Sequence, residues 1–198
     1  MGNTSNDWFV FFLVTIFLIG LVIELRIFSR ERLKINQNKD RGSLFVVLTA
    51  VLVGIIQLII FSCWGVGCFD FPSLISWMGL IIMISGFGLR QWSIQTLKNF
   101  FTPMVCLQPN HVLIDHGPYG YIRHPSYLGL IMELVGLGLT LKNILATAII
   151  LGLLIPAILY RISVEEKTLT EKFGEVYLNY KERTKRLLPQ ITLQLTKK

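Results

Sequence analysis

Five apolar windows separated by polar stretches organise this chain of 198 residues. Most of them approach the roughly 20 apolar residues that an α-helix needs to cross a bilayer. The pattern therefore predicts an all-α, multi-pass integral membrane protein with about five transmembrane helices. The windows cover residues 8–23, 44–62, 74–89, 127–141 and 144–160.

Composition supports a membrane protein. The chain is 53% hydrophobic, its mean hydropathy is +0.58, and 16% of its residues are charged, against about 25% in an average soluble domain. No basic residue precedes the first window, and Glu24 and Arg26 end it directly. We therefore expect this window to stay in the mature protein as a helix instead of being removed as a signal peptide.

The distribution of lysine and arginine predicts the orientation. On the predicted topology, 18 of the 19 lie on one side of the membrane and Lys142 lies on the other. Basic loops remain in the cytoplasm, so that side is predicted to be cytoplasmic. The net charge of +7 then reflects topology and attraction to membrane lipids, and no nucleic-acid partner is expected. Short loops and the lack of a targeting segment favour a bacterial or archaeal inner membrane.

The chain divides into a predicted transmembrane part, 1–95, with three windows, and a predicted catalytic part, 96–198. In the second part a polar connector precedes the last two windows, which only Lys142 and Asn143 separate. So short a link predicts an antiparallel helical hairpin that brings Tyr127 and Tyr160 to the same face of the membrane. After Tyr160 no helix breaker occurs until Gly174, which predicts a helix that continues into the cytoplasm.

Two polar clusters would meet at one end of this hairpin. The run 117–129 places Arg123, His124 and three tyrosines at the beginning of the fourth window, and Arg161, Glu165 and Glu166 follow the fifth. Convergence of such groups favours a ligand site. The alternative is structural: Arg123 reaches the lipid headgroups, the tyrosines form an interfacial belt, and Glu165 pairs with Arg161 on the helix surface.

Two smaller features carry less chemistry. Cys63 and Cys68 fall in a predicted outer loop, where a disulfide is conceivable but not required, and their spacing without histidines does not indicate a metal site. Gly79, Gly86 and Gly88 predict close contacts between helices.

Three motifs together resemble the isoprenylcysteine carboxyl methyltransferase family over roughly residues 90–190. They are the stretch from His111 to Gly129 with its Arg-His-Pro-Ser-Tyr-Leu-Gly end, the set Arg161-x3-Glu165-Glu166, and Phe173-Gly-x-x-Tyr177-x-x-Tyr180 followed by Pro189. The resemblance implies a membrane methyltransferase with a cytoplasmic S-adenosylmethionine pocket. The connector, the Arg-His-Pro helix and the Glu-Glu helix would form that pocket.

The resemblance also implies roles for individual residues. The catalytic set would be Arg161, Glu165 and Glu166, with Arg161 orienting an acceptor carboxylate. The cofactor-binding set would be His111, Tyr119, Arg123, His124, Pro125 and Tyr127. The acceptor would be a lipophilic small molecule or a prenylated substrate, most simply the carboxylate of an isoprenylcysteine. Three alternatives remain open: a phospholipid-amine N-methyltransferase, an NADPH-dependent membrane reductase, and a non-catalytic transporter or assembly protein.

Overall fold

The computed structural model describes residue 15 and residues 40–70, 72–98 and 112–188. Three features named in the sequence analysis lie outside this part of the chain. They are the first apolar window, of which only Thr15 is described, and the residues His111 and Pro189. The described residues form five α-helices and one 3-10 turn, Gly117–Gly120. The helices are α1 (Ser43–Trp64), α2 (Ser73–Leu97), α3 (Pro125–Thr140), α4 (Ile144–Phe173) and α5 (Glu175–Arg183).

The positions of these helices confirm the predicted all-α membrane fold. Helices α1, α2 and α4 are long and apolar enough to cross a membrane, and α3 is a shorter apolar helix of 16 residues. Helix α4 has 30 residues and is therefore about 45 Å long, more than the roughly 30 Å of a hydrocarbon core. It ends where the sequence predicts, at Gly174, whose φ of 52° suits glycine.

The apolar core runs along α4. Helix α1 packs against α4, and α3 packs against both α2 and α4. The most deeply buried side chains include Leu58 of α1, Leu134 of α3 and Leu154 of α4, each with no exposed surface. Helix α2 contributes little to this core and contacts the rest mainly through α3, with a smaller contact to the 3-10 turn.

Small residues set the distance between α2 and α3. A Cβ atom added to Gly136 would lie 2.4 Å from Met83 N and 2.5 Å from Gly79 O, and one added to Gly86 would lie 2.7 Å from Gly129 O. Only glycine permits backbones to approach this closely. The predicted contacts are thus confirmed for Gly79 and Gly86. Gly88 has no such contact in the described part of the chain, where no atom of another element lies within 4 Å of its would-be Cβ.

The predicted hairpin is also confirmed. Three residues, 141–143, connect α3 to α4, and Asn143 Oδ1 caps α4 by accepting a hydrogen bond of 2.9 Å from Ala146 N. The beginning of α3 consequently lies beside the second half of α4. This arrangement brings the two predicted polar clusters together.

The segment that follows α5 returns to the beginning of α3. Arg123 N donates to Lys185 O at 2.8 Å and His124 N donates to Arg186 O at 3.0 Å, and Ile122 and Lys185 form an isolated parallel bridge. We call residues 184–187 the C-terminal strap. Through it, the last described part of the chain is held against the Arg-His-Pro motif.

Candidate active site

Helix α3 begins in a way that turns His124 inward. Pro125 is its first residue, where a missing amide donor costs nothing, and the His124 side chain makes no capping hydrogen bond. The imidazole is instead buried against two carboxylates: Nε2 lies 3.4 Å from Glu166 Oε1 and Nδ1 lies 3.7 Å from Glu165 Oε2. The ring also stacks on Tyr127, with centroids 5.7 Å apart.

Tyr127 connects two of the three catalytic candidates on α4, Arg161 and Glu165. Its hydroxyl donates to Glu165 Oε2 at 2.9 Å and accepts from Arg161 Nε at 2.7 Å. On its other side the Arg161 guanidinium donates through Nη1 to Asp40 Oδ1 at 2.7 Å and to Ser43 Oγ at 2.9 Å. Since Arg161 and Asp40 are both almost fully buried, this ion pair fixes the arginine and, through it, Tyr127.

Three positively charged side chains surround the Glu166 carboxylate. Its carboxylate accepts from Arg123 Nε at 2.9 Å and from Arg186 Nη2 at 3.0 Å, and Lys181 Nζ lies 3.8 Å away. Arg123 also donates to the backbone oxygens of Lys181 and Thr184. Buried charges persist only when they are paired and hydrogen-bonded in this way. Glu166 therefore joins α4, the Arg-His-Pro motif and the C-terminal strap.

Tyr119 borders the charged residues from the 3-10 turn. The side chain is buried, and its backbone oxygen accepts a 2.7 Å hydrogen bond from Tyr180 Oη. Burial first, and then the Glu165 carboxylate, raise the pKa of Tyr119 above its ordinary value. The phenol therefore stays protonated and can act as a neutral donor.

Tyr177 of α5 carries a buried hydroxyl that the rest of the described chain leaves unsatisfied. The residue is 1% exposed, and Tyr177 Oη has no hydrogen-bond partner among the described residues. Burial and the nearby carboxylates of Glu166 and Glu165 raise the pKa of Tyr177, which keeps the hydroxyl protonated. An unsatisfied buried donor costs free energy, so a partner outside the described residues is expected for it.

The structure thus brings together eight of the nine predicted site residues; His111 lies outside the described chain. Sequence reasoning gave no role to several partners. The contact between Arg161 and Asp40 joins residues 121 apart in the chain and that between Arg186 and Glu166 joins residues 20 apart, so neither follows from local spacing. Tyr177 lies in a family motif quoted above, and that motif is the signal that could have found it. The missed residues are Asp40, Ser43, Tyr177, Lys181, Thr184 and Arg186. We use the name charged cluster for Asp40, Arg123, His124, Tyr127, Arg161, Glu165, Glu166 and Arg186.

Together with Tyr177, the charged cluster offers donors and acceptors that S-adenosylmethionine, the cofactor implied by the sequence resemblance, would need. This cofactor carries a sulfonium, an ammonium, a carboxylate and a ribose diol, so its site needs acceptors for the cationic groups and donors for the anionic one. Glu165 offers a carboxylate whose side chain is 33% exposed, and Tyr177 Oη offers a donor that lacks a partner among the described residues. Among the described residues, no group of histidine, cysteine and acidic side chains could hold a metal ion.

These features define an integral membrane protein with a buried cluster of acidic and basic side chains at one end of a helical hairpin. The sequence profile of the isoprenylcysteine carboxyl methyltransferase (ICMT) family matches residues 78–171, which include most of α2, all of α3 and nearly all of α4. A probable protein-S-isoprenylcysteine O-methyltransferase of Oryza sativa subsp. indica is 33% identical over 128 residues, 61% of this chain and 67% of that protein. The chain belongs to the isoprenylcysteine carboxyl methyltransferase family.

Two further similarities support this assignment. The protein-S-isoprenylcysteine O-methyltransferase of Saccharomyces cerevisiae is 35% identical over 108 residues, 54% of this chain and 45% of that protein. A solved structure of the eukaryotic intramembrane Ras methyltransferase ICMT superposes with a TM-score of 0.58 and 26% identity. This match covers 73% of the present chain and 52% of that protein. The chain therefore spans only about half the length of two of these relatives.

Proposed function

We propose that this protein is an S-adenosylmethionine-dependent methyltransferase that methylates the carboxylate of an isoprenylcysteine-like acceptor in the membrane. The observation that carries the proposal is the continuous path of contacts from Arg161 through Tyr127, Glu165 and His124 to Glu166. All five residues lie within the segment that matches the family. The names of the relatives supply the acceptor class and the reaction.

Bound S-adenosylmethionine would supply an electrophilic methyl group on its sulfonium. The protein's task in such a transfer is to hold both partners in line and to exclude water, since no strong base is needed for a carboxylate acceptor. We assign Glu165 to the cationic end of the cofactor and Tyr177 to one of its acceptor groups. His124, Tyr119 and Arg123 keep these side chains in place, and Pro125 fixes the beginning of α3.

Arg161 has two uses in this proposal. The first is the predicted one, in which it orients the acceptor carboxylate. The second follows from its contacts: held by Asp40 and Ser43, it donates to Tyr127 and so positions the hydroxyl that binds Glu165. Because Asp40 already accepts from Nη1, an acceptor carboxylate would have to use another edge of the guanidinium.

The lipophilic acceptor would arrive from the bilayer and the cofactor from the cytoplasm, where the positive-inside rule places the charged cluster. That orientation is part of the proposal. A bacterial or archaeal inner membrane stays a prediction, and the relatives named above, which come from yeast and rice, do not support it.

Cofactor binding provides the first test. Calorimetry on detergent-purified protein should show that S-adenosylmethionine and its demethylated product bind wild type. Glu165→Gln and His124→Ala should bind at least about tenfold more weakly, as expected for the loss of a charge-assisted contact. Glu182→Gln, which removes an exposed carboxylate from α5, should bind like wild type. Well-folded wild type that binds neither compound would reject the proposal.

Transfer of a labelled methyl group identifies the acceptor. N-acetyl-S-farnesylcysteine should be methylated, whereas its carboxamide, which keeps the lipid but lacks the carboxylate, should not. Methylation of phosphatidylethanolamine instead would establish the amine alternative, in which Glu165 or Glu166 would have to accept a proton. Binding of NADPH without S-adenosylmethionine binding would favour the reductase.

A further inference from the structure

A second cleft borders α4. Residues 160, 163, 164, 167 and 171 follow the helical spacing and form one face of this helix. Ser163, Lys167 and Glu171 of this face also line a neighbouring cavity, which Glu166, Lys181 and Arg186 border from the other side. This face borders a cavity of about 410 Å³. None of the charged cluster residues lines that cavity.

An apolar groove continues from this cavity towards the middle of the membrane. It lies between α1 and α4, has a volume of about 470 Å³, and shares Tyr160 with the polar cavity. Phe45 and Val53 of α1 and Leu153 of α4 line it, and their side chains are 72%, 48% and 42% exposed within the described structure. The combined cleft is therefore amphiphilic, with an apolar end and a polar end.

The polar end carries a net positive charge. Its ionisable lining residues are Arg41, Lys167 and Glu171, all of them exposed. The two hydroxyls beside them serve the helix itself: Ser163 Oγ donates to Tyr160 O at 2.6 Å and Thr168 Oγ1 donates to Val164 O at 3.0 Å. The two cations therefore determine which ligands this end attracts.

Arg41 is held in an unfavourable backbone conformation. Its φ is 50°, in the left-handed region where a residue with a side chain is disfavoured, and Tyr160 Oη reaches its backbone oxygen at 3.4 Å. Such outliers cluster at functional sites, and in this chain Lys98 and Lys142 at helix ends also have positive φ. Here the conformation places a guanidinium beside the junction between cavity and groove.

We propose that this cleft binds an anionic phospholipid, with its phosphate between Arg41 and Lys167 and one acyl chain along the groove between α1 and α4. Basic pockets beside membrane helices attract anionic headgroups, and Tyr160 occupies the junction, a position that suits an interfacial tyrosine. The charge of the polar end and the exposed apolar groove next to it match the two halves of such a lipid. The argument for this site does not rest on the proposed methyl transfer, and Lys167 is the residue that borders both the cleft and the cavity beside Glu166.

Lipid binding can be measured on the full chain in a neutral detergent by native mass spectrometry and thermal unfolding. Phosphatidylglycerol should bind and raise the apparent Tm more than phosphatidylcholine with identical chains. The double variant Arg41→Gln/Lys167→Gln should lose this preference, with about 30-fold weaker binding of phosphatidylglycerol, equivalent to about 2 kcal/mol for two basic residues. Lys172→Gln, on the same helix but outside the cleft, should behave like wild type.

Two further variants test the remaining parts of the cleft. Glu171→Gln removes the opposing charge and should strengthen phosphatidylglycerol binding. Thr49→Trp should fill the groove from its exposed lining position and weaken lipid binding without changing the Tm in lipid-free detergent. Glycerol phosphate, which has the headgroup charge but no chain, should not raise the Tm.

Several results would overturn the proposal. One is equal binding of the two lipids to wild type, and another is undiminished preference in the double variant. Displacement of phosphatidylglycerol by N-acetyl-S-farnesylcysteine would assign the cleft to the methyl acceptor. A lower Tm for Thr49→Trp without lipid would mean that protein, either residues 1–39 or a second copy of the chain, covers the groove. Loss of S-adenosylmethionine binding in the double variant would make the cleft part of the candidate active site.

Discussion

The two ends of the α3–α4 hairpin are held to the neighbouring segments by different kinds of contact. At the connecting turn, Asn143 donates to Val66 O at 3.0 Å and caps α4, while Phe69 N donates to Lys142 O. These contacts join neutral groups, and Cys68 beside them is a free thiol, as is Cys63. At the opposite end, side chains from the Arg-His-Pro motif, the beginning of α3, α4 and the strap form the charged cluster together with Asp40, which precedes α1.

The difference supports the proposal that the charged end binds a ligand. A helical turn can be secured by neutral hydrogen bonds at little cost, so the charges of the other end are not needed to close a hairpin. That end also leaves Glu165 partly exposed and Tyr177 Oη without a partner among the described residues. Variants at the turn should therefore change stability alone, and variants at the charged end should also change cofactor binding.

Glu166→Ala should have the largest effect. It leaves the buried Arg123 guanidinium and the nearby Arg186 and Lys181 without their common carboxylate, and removing one member of a buried ion pair costs about 3–5 kcal/mol. We expect a strongly lowered apparent Tm in detergent and loss of S-adenosylmethionine binding in calorimetry. Glu182→Gln is the matched control at an exposed carboxylate. An unchanged Tm for Glu166→Ala would contradict the central position of this side chain.

Asp40→Asn should have the second-largest effect, because it removes the negative charge that faces Arg161 but keeps a hydrogen-bond acceptor. We expect the free energy of unfolding to fall by about 2 kcal/mol, which is typical for the loss of a hydrogen bond to a charged group. Methyl transfer should fall further than stability alone explains if Arg161 positions Tyr127 and Glu165. The two readouts are thermal unfolding and kcat/KM. Ser43→Ala, which touches the same guanidinium through a neutral group, should cost less in both.

Asn143→Ala tests the turn. It removes the cap of α4 and leaves Val66 O without the Asn143 donor. The free energy of unfolding should therefore fall by about 1–2 kcal/mol. Asn143→Asp, which keeps the capping oxygen, should lose less. Calorimetry should show that both variants bind S-adenosylmethionine as wild type does. A selective loss of affinity at this distance would show that the two ends are not independent.

Tyr177→Phe should have the opposite profile, with little or no loss of stability. The variant deletes a buried hydroxyl that lacks a partner among the described residues, so the Tm should be unchanged or slightly higher. If the hydroxyl binds the cofactor, affinity should fall roughly three- to tenfold. Tyr180→Phe is the contrast, because its hydroxyl already bonds to Tyr119 O, and it should lower the Tm instead. Unchanged affinity in Tyr177→Phe would remove Tyr177 from the site.

Gly88→Ala should give the smallest change, and it should be stabilising. Its would-be Cβ meets no atom of another described element within 4 Å, so the helix gains about 0.5–1 kcal/mol from the lower backbone entropy of the unfolded chain. Gly86→Ala, two residues earlier on α2, would place a Cβ against Gly129 O and should lower the Tm. The pair checks that the α2–α3 contact, which connects the two ends of the hairpin, lies on the described face of α2.

Much of this arrangement could be predicted because it depends on local pattern. Apolar windows and breakers located α1–α4, and the two-residue link between the last windows required a hairpin that brings Tyr127 to Arg161. The contacts of Asp40 and Arg186 could not be predicted, since they depend on how α1 and the strap pack onto α4. Gly88 illustrates a third case: its spacing resembles that of Gly86, but the rotation of α2 decides which glycine meets α3.

The C-terminal strap has a consequence for synthesis. Membrane insertion follows the order of translation, so the hairpin that carries Glu165 and Glu166 is made before Arg186, which completes the pairing around Glu166. A ribosome that stops at residue 183 would release a chain with every described helix and an unfinished cluster. Truncated products should therefore be inserted but inactive, and quality control could recognise them by a carboxylate that lacks its last counter-ion.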